Sequence, residues 1–227
     1  MLVTGFPAGT FGTNCYVLAP GAGQECVIVD PGQDAETPLQ RVLDEHKLKP
    51  VAVVLTHGHL DHVWSVVPVC DGYDIPAYIH PDDRAMLADP MSWHGPAIGA
   101  MIRGLSFSEP ADVAELTDGS VLDLAGVRLT TRHAPGHTAG SVVFELIHPE
   151  APVLLSGDLL FAGSIGRTDL PGGDHEAILD SLARVCLPLA DETIVLSGHG
   201  PQTTIGRERA TNPYLRGMAD AAPRKGL

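Results

Sequence analysis

The chain has 227 residues, of which 44% are hydrophobic, 19% are charged and 5% are aromatic. This length and apolar content fit a single α/β domain over residues 1–227, and they exclude a disordered or low-complexity protein. The formal net charge of −14 argues against a nucleic-acid partner, because binding to a phosphate backbone depends on clustered lysines and arginines.

The amino-terminal quarter of the chain predicts strands around one helix. Strands are predicted at residues 15–19 and 25–30, joined by a glycine-containing turn. Residues 36–47 predict a helix, because their apolar side chains recur at helical spacing and a proline follows. The next apolar run, residues 51–55, is too short for a helix and predicts a strand. A strand, a helix and a strand with short links form a crossover unit, so part of the sheet is expected to be parallel.

Shorter elements are predicted in the rest of the chain. A strand at 77–79 and a helix at 82–87 precede residues 89–110, whose prolines and glycines predict an irregular excursion. Residues 121–132 predict a hairpin that turns at Ala125-Gly126. Three further strands are predicted at 141–147, 153–156 and 193–197, and a helix at 176–185. The sequence from Thr203 onward is polar, and no element is assigned to it.

The cellular setting is predicted from segments that the sequence lacks. The longest apolar runs are far below the roughly 20 residues of a membrane span, and no basic flank precedes an apolar segment at the start. A cytoplasmic protein that binds no membrane is therefore expected. The four cysteines form no Cys-x-x-Cys pair, so buried thiols are expected rather than disulfides or a zinc ribbon.

Four of the predicted strands run directly into histidine or aspartate. Thr-His-Gly-His-Leu-Asp-His follows the strand at 51–55, and glycine-histidine or glycine-aspartate pairs follow three later strands. Because ligands collect beyond the carboxyl ends of strands in α/β sheets, these groups are expected to meet in one cleft. The seven candidate metal ligands are His57, His59, Asp61, His62, His137, Asp158 and His199.

These donors suit divalent metal ions. Imidazole and carboxylate groups bind zinc, and iron and manganese accept the same donors. Seven donors are too many for one tetrahedral ion, so two ions, most simply zinc, are predicted. Asp158 is expected to bridge them, because its second oxygen can reach the second metal. The two sets of three are His57, His59 and His137 for one ion, and Asp61, His62 and His199 for the other.

A purely structural role for the cluster at 57–62 is disfavoured, because each buried imidazole or carboxylate would need desolvation and a partner. A lone histidine at a strand end is usually a surface or hydrogen-bonded residue. His133 is accordingly expected either to support a ligand or to have a structural role, rather than to bind metal. No role is assigned to His46, His80, His94, His148 and His175.

The motif at 57–62 and the order of the later donors resemble those of the metallo-β-lactamase-fold superfamily. Residues 27–32, Val-Ile-Val-Asp-Pro-Gly, are similar to its early strand-and-turn motif, in which Asp30 would be structural rather than a ligand. The resemblance implies an αβ/βα four-layer sandwich, with two mixed β-sheets face to face and helices on the outer faces. It also implies the ligand layout of the dinuclear members, with Asp158 as the bridge.

Within the superfamily, the sequence is nearest to short glyoxalase II-like proteins. Asp61 beside His62 favours a hydrolase or oxygenase branch, and residues 161–169 resemble a segment of glyoxalase II-like proteins and persulfide dioxygenases. Arg167 in that segment is expected either to shape the cleft or to pair with Asp169. Residues 201–227 are expected to be a short tail in place of the helical carboxy-terminal domain of glyoxalase II, and the identity of the substrate is therefore not predicted from the resemblance.

The predicted activity is hydrolysis of a small-molecule thioester such as an S-acylglutathione. A hydroxide held between two cations is a ready nucleophile at neutral pH, and Asp61 is predicted to orient it. One alternative is a persulfide dioxygenase with a single iron on His57, His137 and Asp158. A second alternative is a lactone hydrolase that uses the same hydroxide. The oligomeric state is not predicted.

Overall fold

Two six-stranded mixed sheets form the centre of the protein. The computed structural model describes residues 1–94, 102, 104–148 and 150–221. The first sheet consists, in spatial order, of β1 (Leu2–Ala8), β2 (Thr13–Ala19), β3 (Glu25–Val29), β4 (Lys49–Val54), β5 (Ala77–Ile79) and β6 (Val113–Glu115). Its first three strands pair antiparallel, and β3 to β6 pair parallel. The parallel pairing of β3 with β4 confirms the predicted crossover unit.

The second sheet faces the first. The remaining strands are β7 (Val121–Leu124), β8 (Val127–His133), β9 (Val142–Leu146), β10 (Val153–Gly157), β11 (Leu160–Phe161), β12 (Ser164–Ile165), β13 (Ile194–Ser197) and β14 (Thr203–Thr204). The spatial order is β14-β13-β10-β9-β8-β7, while β11 and β12 form a separate hairpin. β10 and β13 pair parallel, and the other neighbours pair antiparallel. The hairpin predicted at 121–132 is confirmed as β7 and β8.

Helices cover the outer faces of both sheets. They are α1 (Glu36–His46), α2 (Leu60–Val63), α3 (Val66–Tyr73), α4 (Pro81–Arg84), α5 (His175–Ser181), α6 (Ile205–Thr211) and α7 (Pro213–Ala221). Single 3₁₀ turns at Ala85–Leu87 and Pro90–Trp93 and a π-helical turn at Leu182–Cys186 complete the helical elements. No helix in the described part of the chain has the length and apolar character that a bilayer crossing requires.

Three apolar cores separate the four layers. Side chains alternate along each strand, so that Ile28 packs toward α1 and α3 while Val27 packs between the sheets. The same alternation in the second sheet directs Leu155 between the sheets and Leu154 toward α5 and α6. The four-layer αβ/βα sandwich is therefore confirmed. The four cysteines are buried free thiols, as predicted.

Some predicted elements have different bounds in the structure. The strand predicted at 25–30 ends at Val29, because Asp30 adopts a left-handed φ of +48°. The helix predicted at 82–87 is α4 followed by a 3₁₀ turn, and the one predicted at 176–185 changes from α to π geometry after Ser181. Of the excursion predicted at 89–110, residues 95–101 and 103 lie outside the described residues.

The segment after Thr203, to which the sequence analysis assigns no element, is structured. This segment forms β14, α6 and α7. Ile205 and Leu215 are fully buried in the core between the second sheet and its helices. Two apolar residues thus anchor a polar segment to the fold, and so sparse a pattern gives no helical periodicity in the sequence.

Candidate metal centre

The seven predicted donors lie at one edge of the sandwich, in loops after strands and in one short helix. The loop after β4 carries His57 and His59, and α2 carries Asp61 and His62. The three remaining donors lie beyond the ends of β8, β10 and β13, and they are His137, Asp158 and His199. The structure therefore brings all seven together, although they span more than half of the chain.

Three histidines form the first group. Donor atoms of His57, His59 and His137 all lie within 4.8 Å of one another. His59 Nδ1 is 2.7 Å from His137 Nε2, and the three side chains are buried, with exposed fractions of 1–3%. This group has the composition of the first predicted triad.

The second group contains Asp61, His62 and His199. His199 Nε2 lies 3.1 Å from Asp61 Oδ2, and His62 Nε2 lies 3.5 Å from the same oxygen. Donor atoms of all three residues lie within 4.8 Å of one another. This group has the composition of the second predicted triad.

Asp158 lies between the two triads. Its Oδ1 is 3.3 Å from Nε2 of His62, and its Oδ2 is 3.5 Å from Nε2 of His137 and 3.6 Å from Nε2 of His199. The carboxylate thus approaches one histidine of the first triad and two of the second. This position is the one that a bridging ligand requires.

Hydrogen bonds outside the cluster set the tautomers of three histidines. His62 Nδ1 donates to Asp30 Oδ2 (2.9 Å), and His137 Nδ1 donates to the Arg167 carbonyl (2.7 Å). The Thr56 hydroxyl donates to Asp30 Oδ2, so it accepts from His57 Nδ1 at 3.0 Å. In its neutral form each of these rings therefore keeps a lone pair on Nε2, the atom nearest the cluster. Asp30 has the structural role that the resemblance implies.

Unpartnered buried atoms provide a test of whether a cation fits. Within the described residues, the buried atoms of the cluster that have no hydrogen-bond partner include His57 Nε2, His62 Nε2 and Asp158 Oδ1. A buried polar atom left without a partner costs about 1–3 kcal/mol. Imidazole nitrogens and a carboxylate oxygen are ligands for divalent transition metals. The residues present therefore fit a divalent metal site.

The charges in the cluster favour binding of a cation. Burial and the neighbouring histidines lower the pKa of His57 and His59, so both are neutral near pH 7. Burial opposes the ionisation of Asp61 and Asp158, but His62 and the other nearby imidazoles outweigh it and lower the pKa of both carboxyls. Burial lowers the pKa of His62 and His199, but Asp61 and Asp158 outweigh it and raise the pKa of both above its ordinary value. Since neutral imidazoles and ionised carboxylates are the states that bind metal, a cation would displace a proton from these two rings.

Three polar residues that the sequence analysis did not assign also support the site. The Thr13 hydroxyl donates to Asp61 Oδ2 (2.8 Å), and Thr56 contacts His57 and Asp30 as described. His94 Nε2 accepts from the backbone N–H of Leu60 (3.2 Å) at the start of α2. Of these, only Thr56 has a signal in the sequence, since it stands directly before the histidine motif at a strand end.

The remaining predicted site residues lie at the periphery. The Arg167 guanidinium makes two hydrogen bonds to Asp169, at 2.6 and 2.7 Å, and both side chains are largely exposed. Of the two roles predicted for Arg167, the structure shows the ion pair. His133 bonds to the Ala139 carbonyl and stacks on His80 at 4.2 Å, outside the seven-donor cluster.

Comparison with known proteins identifies the family. A family model described as the metallo-beta-lactamase superfamily matches residues 8–199. The chain belongs to this superfamily. The hydroxyacylglutathione hydrolase GloC of Haemophilus influenzae is 34% identical to the chain, and the match covers 92% of this chain and 95% of GloC. Membership places the chain among metallo-hydrolases.

Solved structures of the superfamily share the whole fold. BLEG-1, a B3 metallo-β-lactamase, superposes with a TM-score of 0.81 at 43% identity, over 94% of this chain and 99% of BLEG-1. TTHA1623, solved in a di-iron-bound form, superposes with a TM-score of 0.76 at 38% identity, over 94% of this chain and 100% of TTHA1623. The His/Asp cluster of this superfamily member is thus compatible with a divalent metal site.

Proposed function

We propose that the protein is a cytoplasmic thioester hydrolase that uses two divalent metal ions, most simply zinc, to cleave small molecules of the S-acylglutathione class. The observation that carries the proposal is the position of Asp158 between two complete triads, within 3.6 Å of a histidine in each. The likeness to GloC, a hydroxyacylglutathione hydrolase, supports this substrate class.

The ligand assignment follows the two groups. His57, His59 and His137 would hold one ion, Asp61, His62 and His199 the other, and Asp158 would bridge. When bound, such ions lower the pKa of water toward neutrality and polarise a carbonyl oxygen. No serine or cysteine nucleophile is then required, in keeping with four cysteines that are all buried.

Asp61 has a second role in the proposed reaction. Its described contacts, with Thr13, His62 and His199, all use Oδ2. Oδ1 is therefore the oxygen that can accept a hydrogen bond from the attacking water and orient it toward the thioester carbonyl. The lowered pKa of Asp61, which its histidine neighbours cause against the effect of burial, keeps this acceptor ionised at neutral pH.

The test combines metal analysis with an activity assay. Protein purified without added metal is analysed for metal identity and stoichiometry, and the metal-loaded protein is then assayed with S-lactoylglutathione. We expect two equivalents of metal and hydrolysis well above the buffer rate. A loaded wild-type protein that leaves this thioester intact would refute the proposal. One iron per chain with oxygen uptake on glutathione persulfide would replace it by the dioxygenase alternative.

A pair of histidine variants serves as the internal control. His137→Ala removes a nitrogen of the first triad and is expected to lower kcat/KM by at least about 100-fold. His133→Ala removes a histidine only four residues away, which contacts Ala139 and His80 instead of the cluster. It is expected to change kcat/KM by less than about threefold. Equal losses in both variants would argue against the assignment.

A further inference from the structure

Asp83 is a buried carboxylate whose hydrogen bonds all go to two other segments of the chain. Its side chain is fully inaccessible to solvent. Oδ2 accepts from the Gly58 backbone N–H (2.9 Å) and from the Thr138 hydroxyl (2.6 Å). Oδ1 accepts from the Gly140 backbone N–H (2.7 Å). One side chain in α4 therefore joins the loop after β4 to the loop after β8.

Each of these two loops carries ligands of the first triad next to an Asp83 contact. Gly58 stands between His57 and His59, and Thr138 directly follows His137. His59 and His137 are 78 residues apart in sequence, yet their facing nitrogens lie 2.7 Å apart. When the lone pairs of both nitrogens face one cation, no hydrogen bond can form between the two rings. The distance between the two rings must then be held by the contacts of their backbone segments.

The glycines in both loops make the close approach possible. A Cβ added at Gly58 would lie 2.8 Å from the Asp83 carbonyl oxygen and 2.8 Å from Met86 Cβ. A Cβ added at Gly140 would lie 2.6 Å from Asp83 Oδ1. Carbon atoms do not approach these groups so closely, so a larger residue at either position would displace Asp83. This contact gives a physical reason for glycine in the middle of the His-Gly-His motif.

Both ends of this bridge are fixed in the fold. The helix that carries Asp83 is anchored by Arg84, which pairs with Glu109 (2.9 Å) and Glu115 (3.3 Å). The Thr138 hydroxyl is also 2.6 Å from the Ser141 hydroxyl. Burial raises the pKa of Asp83, although its three hydrogen bonds oppose this rise. Keeping an ionised carboxylate here therefore has a cost in stability, which a positioning role would explain.

We infer that Asp83 is a positioning residue for the first triad, because it sets the distance between the His57–His59 loop and the His137 loop. The inference rests on the proposed function only in taking the triad to bind a cation. It does not depend on the thioester substrate. The Asp83 side chain hydrogen-bonds to Gly58, Thr138 and Gly140, and to none of the seven donors.

The test measures metal affinity in the full-length protein with Zn²⁺ in competition with a chromophoric chelator. Asp83→Asn keeps the shape of the side chain but replaces one acceptor oxygen by an amide donor. We expect it to weaken one of the two metal equivalents by about 10–100-fold while the other changes less than about threefold. With Co²⁺, the visible absorption of the weakened site is expected to change as well. A residue that only stabilised the fold would alter neither the ratio of the two affinities nor this spectrum.

Three further variants keep the inference falsifiable. Asp82→Asn alters the exposed neighbouring carboxylate in the same helix and is expected to bind both equivalents as the wild type does. Thr138→Val removes one donor to Asp83 without changing shape and is expected to weaken the same equivalent, whereas Thr138→Ser restores the donor and the affinity. If Asp83→Asn does not fold, the Thr138 pair decides.

Each outcome has a distinct meaning. Wild-type affinities for both equivalents in folded Asp83→Asn, or in Thr138→Val where Asp83→Asn does not fold, overturn the inference. A wild-type protein that binds metal but hydrolyses no thioester overturns the proposed function alone, since the affinity ratio can still be read. A wild-type protein that binds no divalent metal overturns both.

Discussion

Asp30 sets the protonation pattern of two histidines in the cluster. It is 2% exposed, and its Oδ2 accepts both from His62 Nδ1 and from the hydroxyl of Thr56, which contacts His57 Nδ1. In their neutral forms both rings thereby keep a lone pair on Nε2. A left-handed φ of +48° turns the chain at Asp30, directly after β3, and brings the carboxylate to this position.

Replacing this carboxylate by an amide tests its role. Asp30→Asn is expected to weaken zinc binding by about 10–100-fold and to lower the free energy of unfolding by about 1–3 kcal/mol, because a buried donor loses its acceptor. Asparagine tolerates left-handed backbone, so the loss can be attributed to the carboxylate. Calorimetric titration with Zn²⁺ and urea unfolding measure the two effects.

Asp34→Asn is the matched control for this substitution. Asp34 also has a left-handed φ, of +55°, but its side chain is exposed. The variant is expected to match the wild type in zinc affinity and in unfolding free energy. If Asp30→Asn bound zinc as tightly as Asp34→Asn does, Asp30 would have no part in orienting His62.

At the residue scale, the sequence predicts the seven donors but not the groups that hold them. The donors can be predicted because four of them lie within six residues and the other three follow predicted strands. The contact of Thr13 with Asp61 cannot be predicted, because 48 residues separate the two. Threonine is also common in strands, so its presence there gives no signal. Asp83 and His94 reach the cluster only through the packing of their segment against it, which no local pattern encodes.

At the scale of elements, α5 shows how a short helix is held at the site. Its N-cap, Asp174, accepts from the backbone N–H groups of Glu176 (2.9 Å) and Ala177 (3.0 Å). The Asp174 N–H itself donates to the Gly136 carbonyl, next to His137. The cap therefore ties the start of α5 to a loop of the metal centre.

Removing this cap has a predictable effect on stability. Asp174→Ala is expected to lower the free energy of unfolding by about 0.5–2 kcal/mol, because two amide donors lose their acceptor. Asp180→Ala, an exposed aspartate near the other end of α5, is the control. It is expected to be neutral or slightly stabilising, since its side chain caps no backbone group that the structure describes and alanine has the higher helix propensity. Urea unfolding, monitored by circular dichroism, measures the free energy of unfolding of both variants. An equal loss of stability in Asp174→Ala and Asp180→Ala would refute the capping role.

The elements that the sequence predicts are those with a periodic core face. α1 is predicted because Leu39 and Leu43 recur at helical spacing and are buried, and the hairpin of β7 and β8 because a turn signal joins two apolar runs. The hairpin of β11 and β12 has strands of only two residues each. Strands this short are stabilised by tertiary contacts, here by the complete burial of Leu160. Two residues are too few to show an alternating pattern in the sequence.

At the scale of the whole molecule, the four cysteines are buried in two different apolar cores. Cys15, Cys26 and Cys70 lie in the core between the first sheet and its helices, whereas Cys186 lies between the second sheet and α5 to α7. Burial raises the pKa of Cys26, Cys70 and Cys186 to about 12. The folded protein therefore keeps these thiols protonated at a pH where an unfolded chain ionises them.

This difference makes the stability of the protein fall in alkaline solution. The stabilisation from a protonated thiol is complete below the unfolded pKa of about 8.5, and it is lost as the pH rises toward about 12. Within that window each such thiol lowers the free energy of unfolding by about 1.4 kcal/mol per pH unit. Cys186→Ala is expected to flatten the slope by about this amount in urea unfolding between pH 9 and 10.5. Ser181→Ala, a buried neighbour in α5 that does not titrate, is expected to leave it unchanged, and identical slopes in both variants would show that Cys186 ionises without unfolding.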